Sequence, residues 1–331
     1  MNPPVDIKFK PKATPFFWSV MIPSYNARPE YLAETLRSVL AQDPGRAAMQ
    51  IEVVDDGSPN GAPVELVRQI AGDRVSVQRE PKNLGLAGIW NRCIERAEGR
   101  WIHILHQDDV VKPGFYEKAR AAAESPGAPG LWYCRQAFMD AHGVQTRLSE
   151  PDAATAGCLS GALPRLARAQ LIQTPAVVVR RAAYEAVGGF RPDLCFTLDW
   201  EMWCRIAREF PVWYEPEVLA SYRIHGGAET SRLVLAGRDI ADIRKCIAIT
   251  SGYIEDARTR SEVRRHALRR SALFALQNAE NLLCAGRRDA ARRQLAGALK
   301  CDFSLKVVKD ALKLWPAAAG LATLKPSAQP Q

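Results

Sequence analysis

His106, Asp108 and Asp109 stand within four residues of one another in a chain of 331. One imidazole and two carboxylates offer a nitrogen and several hard oxygens. Divalent cations such as Mg²⁺ take carboxylate oxygen, and Mn²⁺ also accepts imidazole. The three follow an apolar run, Trp101, Ile102, Ile104 and Leu105, which reads as a central strand covered on both faces. In an extended chain His106 and Asp108 point to one side and Asp109 to the other. The C-terminal ends of such strands are where open α/β sheets bind ligands. Pro113 then suits the first turn of a helix. The plainer reading is a polar turn that caps that helix, since Asp is a common N-cap.

Other chemistry recurs at strand and helix ends. Ile51 to Val54 runs into Asp55-Asp56-Gly57-Ser58-Pro59-Asn60, which also reads as an Asx turn. Asp199 opens a helix whose buried face is Trp200, Trp203, Cys204 and Ala207. Its plainer reading is an N-cap. Glu201 lies four before Arg205 and reads as a helix-face ion pair. Val218 to Ile224 leads into His225-Gly226-Gly227, where glycine lets backbone approach a ligand. His103 lies inside a strand and reads as a core residue, while His142 and His266 read as surface residues.

These groups need a scaffold, and the first 110 residues supply an alternation. Apolar strands at Trp18–Ile22, Ile51–Val54 and Val75–Gln78 precede helical stretches from Pro29, Pro63 and Asn83. Strand, crossover helix and parallel strand in sequence specify a doubly wound, mostly parallel α/β sheet. Beyond it, Leu131–Met139 and Val144–Leu148 read as an antiparallel hairpin, and Val212–Tyr214 and Val218–Ile224 as two late strands. Residues 157–173 give no clear period. From Ser231 the pattern is helical, with breaks near Gly252, Gly286 and Asp302. The expected division is an extension over 1–16, an α/β body over 17–230 and a basic helical region over 231–331.

Composition bounds the class. Hydrophobic content of 47% fits a globular protein with a full core. The eight cysteines have no C-x-x-C spacing, which argues against a structural zinc site and for buried thiols in a reducing cytoplasm. No apolar window reaches about 18 residues, so no membrane-spanning helix is expected. The net charge is +9, yet residues 231–331 carry 19 basic and 9 acidic side chains against 26 and 27 in the rest. The basic character belongs to the C-terminal hundred residues.

Five stretches, in order, resemble the family 2 glycosyltransferases of the GT-A fold: VMIPSYNA (20–27), VVDDGSPN (53–60), NLGLAGIWNRCIERAEGRWIHILHQDD (83–109), LDWEMWCRIA (198–207) and YRIHGG (222–227). The resemblance covers roughly residues 17 to 230 and implies a Rossmann-like GT-A sheet with a small antiparallel part on the acceptor side. It implies that Pro23 and Tyr25 line the base of a nucleoside diphosphate. Asp55 would accept the uracil imide proton, and Asp56 would lie near the ribose. Asn83 and Asn91 would hold the nucleotide-sugar side, although Asn91 also reads as a satisfied polar residue of a helix. Asp108 would coordinate Mn²⁺ or Mg²⁺, Asp109 would support the site, and His225 would return to the diphosphate or metal. Two positions depart from the pattern. His106 stands where the first metal-motif carboxylate is usual, which makes it a further candidate ligand, and Leu198 replaces the usual acidic residue before Asp199.

The activity implied is inverting transfer from a nucleotide-sugar, UDP-linked, to a glycan or lipid-carrier hydroxyl in bacterial surface polysaccharide synthesis. Asp199 would act as base, and a metal would stabilise the leaving diphosphate. A sugar nucleotidyltransferase is the rival enzyme, but Pro23-Ser24-Tyr25-Asn26 lacks its glycine-rich loop. A non-catalytic nucleotide-binding scaffold is the rival from another class, with His106 and Leu198 as its support. The basic tail sets Phe303, Val307, Leu314 and Trp315 among Lys306, Lys309 and Lys313, downstream of Arg264, Arg265, Arg269, Arg270, Arg287, Arg288, Arg292 and Arg293. It reads as a surface facing anionic lipid at the inner face of the plasma membrane. Its alternatives are a solvated helical bundle or an oligomer contact. No nucleic-acid motif accompanies the charge, so a nucleic-acid partner is not expected.

Overall fold

The computed structural model describes residues 6–9 and 16–321. The extension expected over 1–16 therefore lies largely outside the described residues. The strands are β1 Trp18–Ser24, β2 Met49–Asp55, β3 Ser76–Arg79, β4 Trp101–Ile104, β5 Val110–Val111, β6 Leu131–Met139, β7 Gln145–Leu148, β8 Gly157–Cys158, β9 Val177–Arg180 and β10 Val212–Arg223. The helices are α1 Pro29–Leu40, α2 Val64–Ala71, α3 Gly85–Arg96, α4 Phe115–Ala123, α5 Ala162–Leu166, α6 Arg181–Val187, α7 Leu198–Glu209, α8 Glu229–Ala236, α9 Asp239–Ser251, α10 Ala257–Cys284, α11 Arg288–Cys301 and α12 Leu305–Ala318. Two compact units form. Among the described residues, one holds those up to 163 with 170–193 and 198–224; the other holds 164–169, 194–197 and those from 225 onward.

The first unit is an α/β sheet in the order β3-β2-β1-β4-β9-β6-β10-β5, mostly parallel, with β7 on β6 and β8 on β10. β3, β2, β1 and β4 are parallel, as helical crossovers through α1, α2 and α3 require. β9 then runs antiparallel to both β4 and β6. β1 is buried along its whole length, in keeping with its largely apolar sequence. The β6–β7 hairpin forms as expected.

Two expectations change. The late strands expected separately are one strand, β10, whose pairing with β6 slips between Glu215 and Val218. Pro216 lies in that slip and has no N–H to give the ladder. Pro113 is not helical: Gly114, in the left-handed region at φ 88°, caps α4 and the helix starts at Phe115.

The second unit is helical. α10 packs on α9, α11 and α12 through Ala267, Ala275, Ala279, Ala291, Leu295, Ala298 and Val307, all buried. Alanine on these faces lets helix backbones approach closely. Asp256 caps α10 by accepting the Thr259 N–H at 2.6 Å. Helix breaks fall after Ser251, Cys284 and Cys301, near the glycines and aspartate that marked them. Among the described residues no helix is long and apolar enough to cross a membrane.

Candidate active site

Three loops meet at the C-terminal ends of β1, β2 and β4, and side chains tie them together. The Tyr25 N–H donates to Gln107 Oε1 at 3.0 Å, and Gln107 Nε2 donates back to the Tyr25 carbonyl at 3.1 Å. Asn26, in the left-handed region at φ 47°, donates its N–H to Ser58 Oγ at 2.9 Å. The Asp56 N–H donates to the Ser24 carbonyl at 2.7 Å. Pro23 is buried in β1 opposite Val54, and Tyr25 beyond it is 39% exposed. These bonds hold the three loops together at the C-terminal ends of the parallel strands.

The Asp55-Asp56-Gly57-Ser58 turn is internally saturated. Asp55 is fully buried; its Oδ2 accepts the Ser58 N–H at 3.0 Å and its Oδ1 the Ser58 hydroxyl at 2.5 Å. Arg79 Nε lies 3.5 Å from Asp55 Oδ2. This is the Asx turn that the sequence left open. Asp56 does work not expected of it. Its two oxygens accept the N–H groups of Leu84 at 2.7 Å and Gly85 at 3.1 Å, capping α3 from a distant loop. Burial pushes its carboxyl up while those two bonds pull it down. Asn83 completes the lock by donating to the Asp56 carbonyl at 3.3 Å. Gly57 is required here: its φ is +68°, and a Cβ would lie 2.8 Å from the backbone of Lys82.

β4 stops at Ile104, and residues 106–109 form a turn closed by the Asp109 N–H on the His106 carbonyl at 3.3 Å. The turn cancels the alternation expected of an extended chain. Ligand atoms of His106, Asp108 and Asp109 all fall within 4.8 Å of one another. His106 stacks on Trp90 with centroids 5.0 Å apart, and its Nδ1 lies 3.3 Å from Asp109 Oδ2. Asp109 is fully buried, and its Oδ1 accepts the Arg223 N–H at 2.8 Å. Burial raises the Asp109 carboxyl to about 6. Burial disfavours the His106 imidazolium, but Asp109, Asp108 and Asp199 outweigh it and raise the pKa. Neither His106 Nε2 nor Asp109 Oδ2 makes a hydrogen bond among the described residues. One imidazole nitrogen beside carboxylate oxygens, with His106 Nε2 buried and making no hydrogen bond among the described residues, suits a divalent ion that accepts both nitrogen and oxygen donors.

Asp199 sits one residue inside α7 rather than at its cap. Both of its oxygens lie 3.0 Å from Gln170 Nε2, and its Oδ1 accepts the Trp200 N–H at 2.7 Å. Burial lifts its carboxyl to about 6, against the pull of Trp200, Gln170 and the nearby His106. Two carboxylates, one in a metal-type cluster and one proton-ready, thus face a shared electrostatic environment.

Four more residues singled out in the sequence have defined surroundings. Asn91 is buried in α3, with Oδ1 accepting the Phe190 N–H at 2.7 Å and Nδ2 donating to the Phe190 carbonyl at 3.0 Å. Its amide is thereby engaged in packing, which is the satisfied-polar reading. His225 belongs to the second unit and is not a member of the His106 cluster. Glu201 does pair with Arg205, at 2.8 Å, but both are buried, and Arg205 also donates to the Val187 and Gly189 carbonyls. His103 is a core residue bonded to Tyr116 and the Pro175 carbonyl.

Sequence reading missed three positioning residues. Arg223 is buried inside the YRIHGG stretch and donates Nε to the Asp108 carbonyl at 2.8 Å; it also pairs with Glu34 and lies over the Tyr31 ring. Its position in that stretch was the available signal. Trp90 carries the ring under His106, and only its place in the longest matching stretch pointed to it. Gln170 lies in the segment without a period, so no signal existed.

Comparison with known proteins bears on the family and the fold. The model of "Glycosyl transferase family 2" matches residues 19–186. The putative teichuronic acid biosynthesis glycosyltransferase TuaG of Bacillus subtilis is 36% identical over 102 residues, 30% of this chain and 39% of that protein. The S. aureus TarS 1–349 structure in complex with UDP-GlcNAc superposes with a TM-score of 0.64 at 16% identity, covering 92% of this chain and 88% of the other. The mannosyltransferase PcManGT of Pyrobaculum calidifontis, in complex with GDP-Man and Mn²⁺, gives 0.57 at 20% identity, covering 97% and 84%. The chain spans 34% of the length of the glycosyltransferases it matches in Rickettsia felis and Rickettsia conorii. With a matching family model over half its length and the GT-A sheet beneath the site, the chain belongs to glycosyl transferase family 2.

Proposed function

We propose that the chain transfers a sugar, with inversion, from a UDP-linked donor to a hydroxyl on a glycan or lipid carrier in surface polysaccharide synthesis. The observation that carries this reading is the pairing of the His106, Asp108 and Asp109 cluster with Asp199, a buried carboxyl held at about 6 within electrostatic reach of His106. A base titrating near neutrality can take a hydroxyl proton and remain mostly ionised at pH 7. Tyr25, exposed just beyond β1, and the 55–58 turn would supply the base-binding side. Asp108, Asp109 and His106 would hold Mn²⁺ or Mg²⁺. When bound, such an ion neutralises charge developing on a leaving diphosphate. TuaG and the succinoglycan protein ExoO support a polysaccharide product, and the UDP-GlcNAc and GDP-Man complexes support a nucleotide-sugar donor.

We take residues 17–230 as the catalytic domain and 231–331 as an appended helical region. The eight cysteines are all free, in keeping with a cytoplasmic location. A screen of UDP- and GDP-sugars, with and without Mn²⁺, tests the reading by the nucleoside diphosphate released. Binding of nucleotide without any release across the screen would instead make the chain a nucleotide-binding scaffold.

A further inference from the structure

The outer face of α12 exposes more large apolar surface than any other helix of the second unit. Leu305 is 80% exposed, Leu312 64% and Trp315 50%, and Phe303, just before the helix, is 77% exposed. At about 100° per residue, Leu305, Leu312 and Trp315 lie within roughly 80° of one another. Val307, Ala311 and Ala318, roughly 200–240° round the helix from Leu305, are buried in the bundle. Val307 therefore does not belong to the exposed stripe, although the sequence groups it there. Lys306, Lys309 and Lys313 are exposed along one flank of the stripe. The one acidic residue of the helix, Asp310, pairs with Lys313 at 2.7 Å, an exposed ion pair that holds little energy.

Leucine and tryptophan left in water, bordered by lysine on one edge, match a bilayer interface. The apolar side chains reach the acyl boundary, Trp settles at headgroup level, and Lys extends to the anionic headgroups. A second copy of this chain fits less well. It would set lysine rows near each other on a region carrying 19 basic against 9 acidic side chains. We propose that the Phe303–Trp315 face of α12 docks on an anionic lipid surface. The proposal stands apart from the transferase reading, because vesicle binding requires no turnover and either can fail alone.

Sedimentation with vesicles of phosphatidylcholine, with and without phosphatidylglycerol, tests it on the full chain. The full chain should pellet with phosphatidylglycerol vesicles at low salt and be released as salt shortens the Debye length. Leu312→Glu/Trp315→Glu should abolish pelleting at every salt concentration, and melting curves should match the parent because both side chains are exposed. Lys306→Gln/Lys309→Gln/Lys313→Gln should lower the partition coefficient roughly a hundredfold, given what each lysine contributes near a charged surface. Absence of lipid-dependent pelleting at low salt overturns the proposal. So does a concentration-dependent dimer, seen by analytical ultracentrifugation, that Trp315→Glu dissolves, since the face would then be an interface between copies.

Discussion

The Arg223 backbone N–H donates to Asp109 Oδ1 at 2.8 Å across 114 residues of sequence. The Arg223 side chain meanwhile reaches the Asp108 carbonyl at 2.8 Å. One residue at the end of β10 therefore fixes both carboxylate-bearing positions of the β4 turn. This separates the roles of the two aspartates.

Asp108→Ala should leave the melting temperature nearly unchanged and weaken Mn²⁺-dependent UDP binding, measured by calorimetry. Asp109→Ala should lower the melting temperature, because it orphans the buried Arg223 N–H at about 1–3 kcal/mol. His106→Asp restores the usual acidic position and should retain metal-dependent binding. Equal, unchanged UDP affinity in the Asp108 and Asp109 variants would put the metal outside this cluster.

Asp199→Asn should cut transfer by roughly 10²–10⁴-fold while UDP still binds, because an amide cannot take the hydroxyl proton. The same change should stabilise the fold at pH 8. The folded carboxyl titrates at about 6 against an ordinary 3.8. Between those values the unfolded chain ionises while the folded one does not, so stability falls as pH rises through that window. Removing the group recovers roughly 1–3 kcal/mol above pH 6 and little below pH 4. A variant that melts lower than the parent at pH 8 would contradict the buried carboxylate.

Gln170→Leu should move the acid limb of kcat/KM to higher pH. Gln170 donates to both Asp199 oxygens at 3.0 Å, which favours the charged form. Without that bond the base stays protonated to a higher pH, so activity at pH 6 drops more than activity at pH 8. An unmoved limb in pH–rate profiles would remove Gln170 from the control of Asp199.

Asp242 accepts from the N–H groups of Cys195, Phe196 and Thr197 at 3.0, 2.9 and 2.9 Å, and from the Thr197 hydroxyl at 2.8 Å. The chain enters α7 at Leu198, the next residue. Asp242→Ala should cost roughly 2–4 kcal/mol, since partly buried donors lose their acceptor. Chemical denaturation reads this directly, and a cost below about 0.5 kcal/mol, the range of ordinary surface changes, would mean water replaces the carboxylate.

The sequence alone determined the β/α alternation, the family, and the positions where polar chemistry ends apolar strands. Those features are local: a run of Ile and Val stopped by Asp-Asp-Gly-Ser has few other readings. It also marked the helix breaks at Gly252, Gly286 and Asp302. Tertiary structure decided which motif residues are drawn into packing and capping. Asp56 and Asn91 look alike with Asp108 in a list of motif residues, yet the α3 amides take up Asp56, and the Phe190 backbone takes up Asn91. The turn at 106–109 reversed the sidedness that an extended strand would impose on Asp109. Partners 114 residues away, like Arg223 for Asp109, or in a segment without a period, like Gln170 for Asp199, leave no trace in spacing. Hydrogen bonds across a sheet depend on strand order and register, and neither is written in a residue's own neighbourhood.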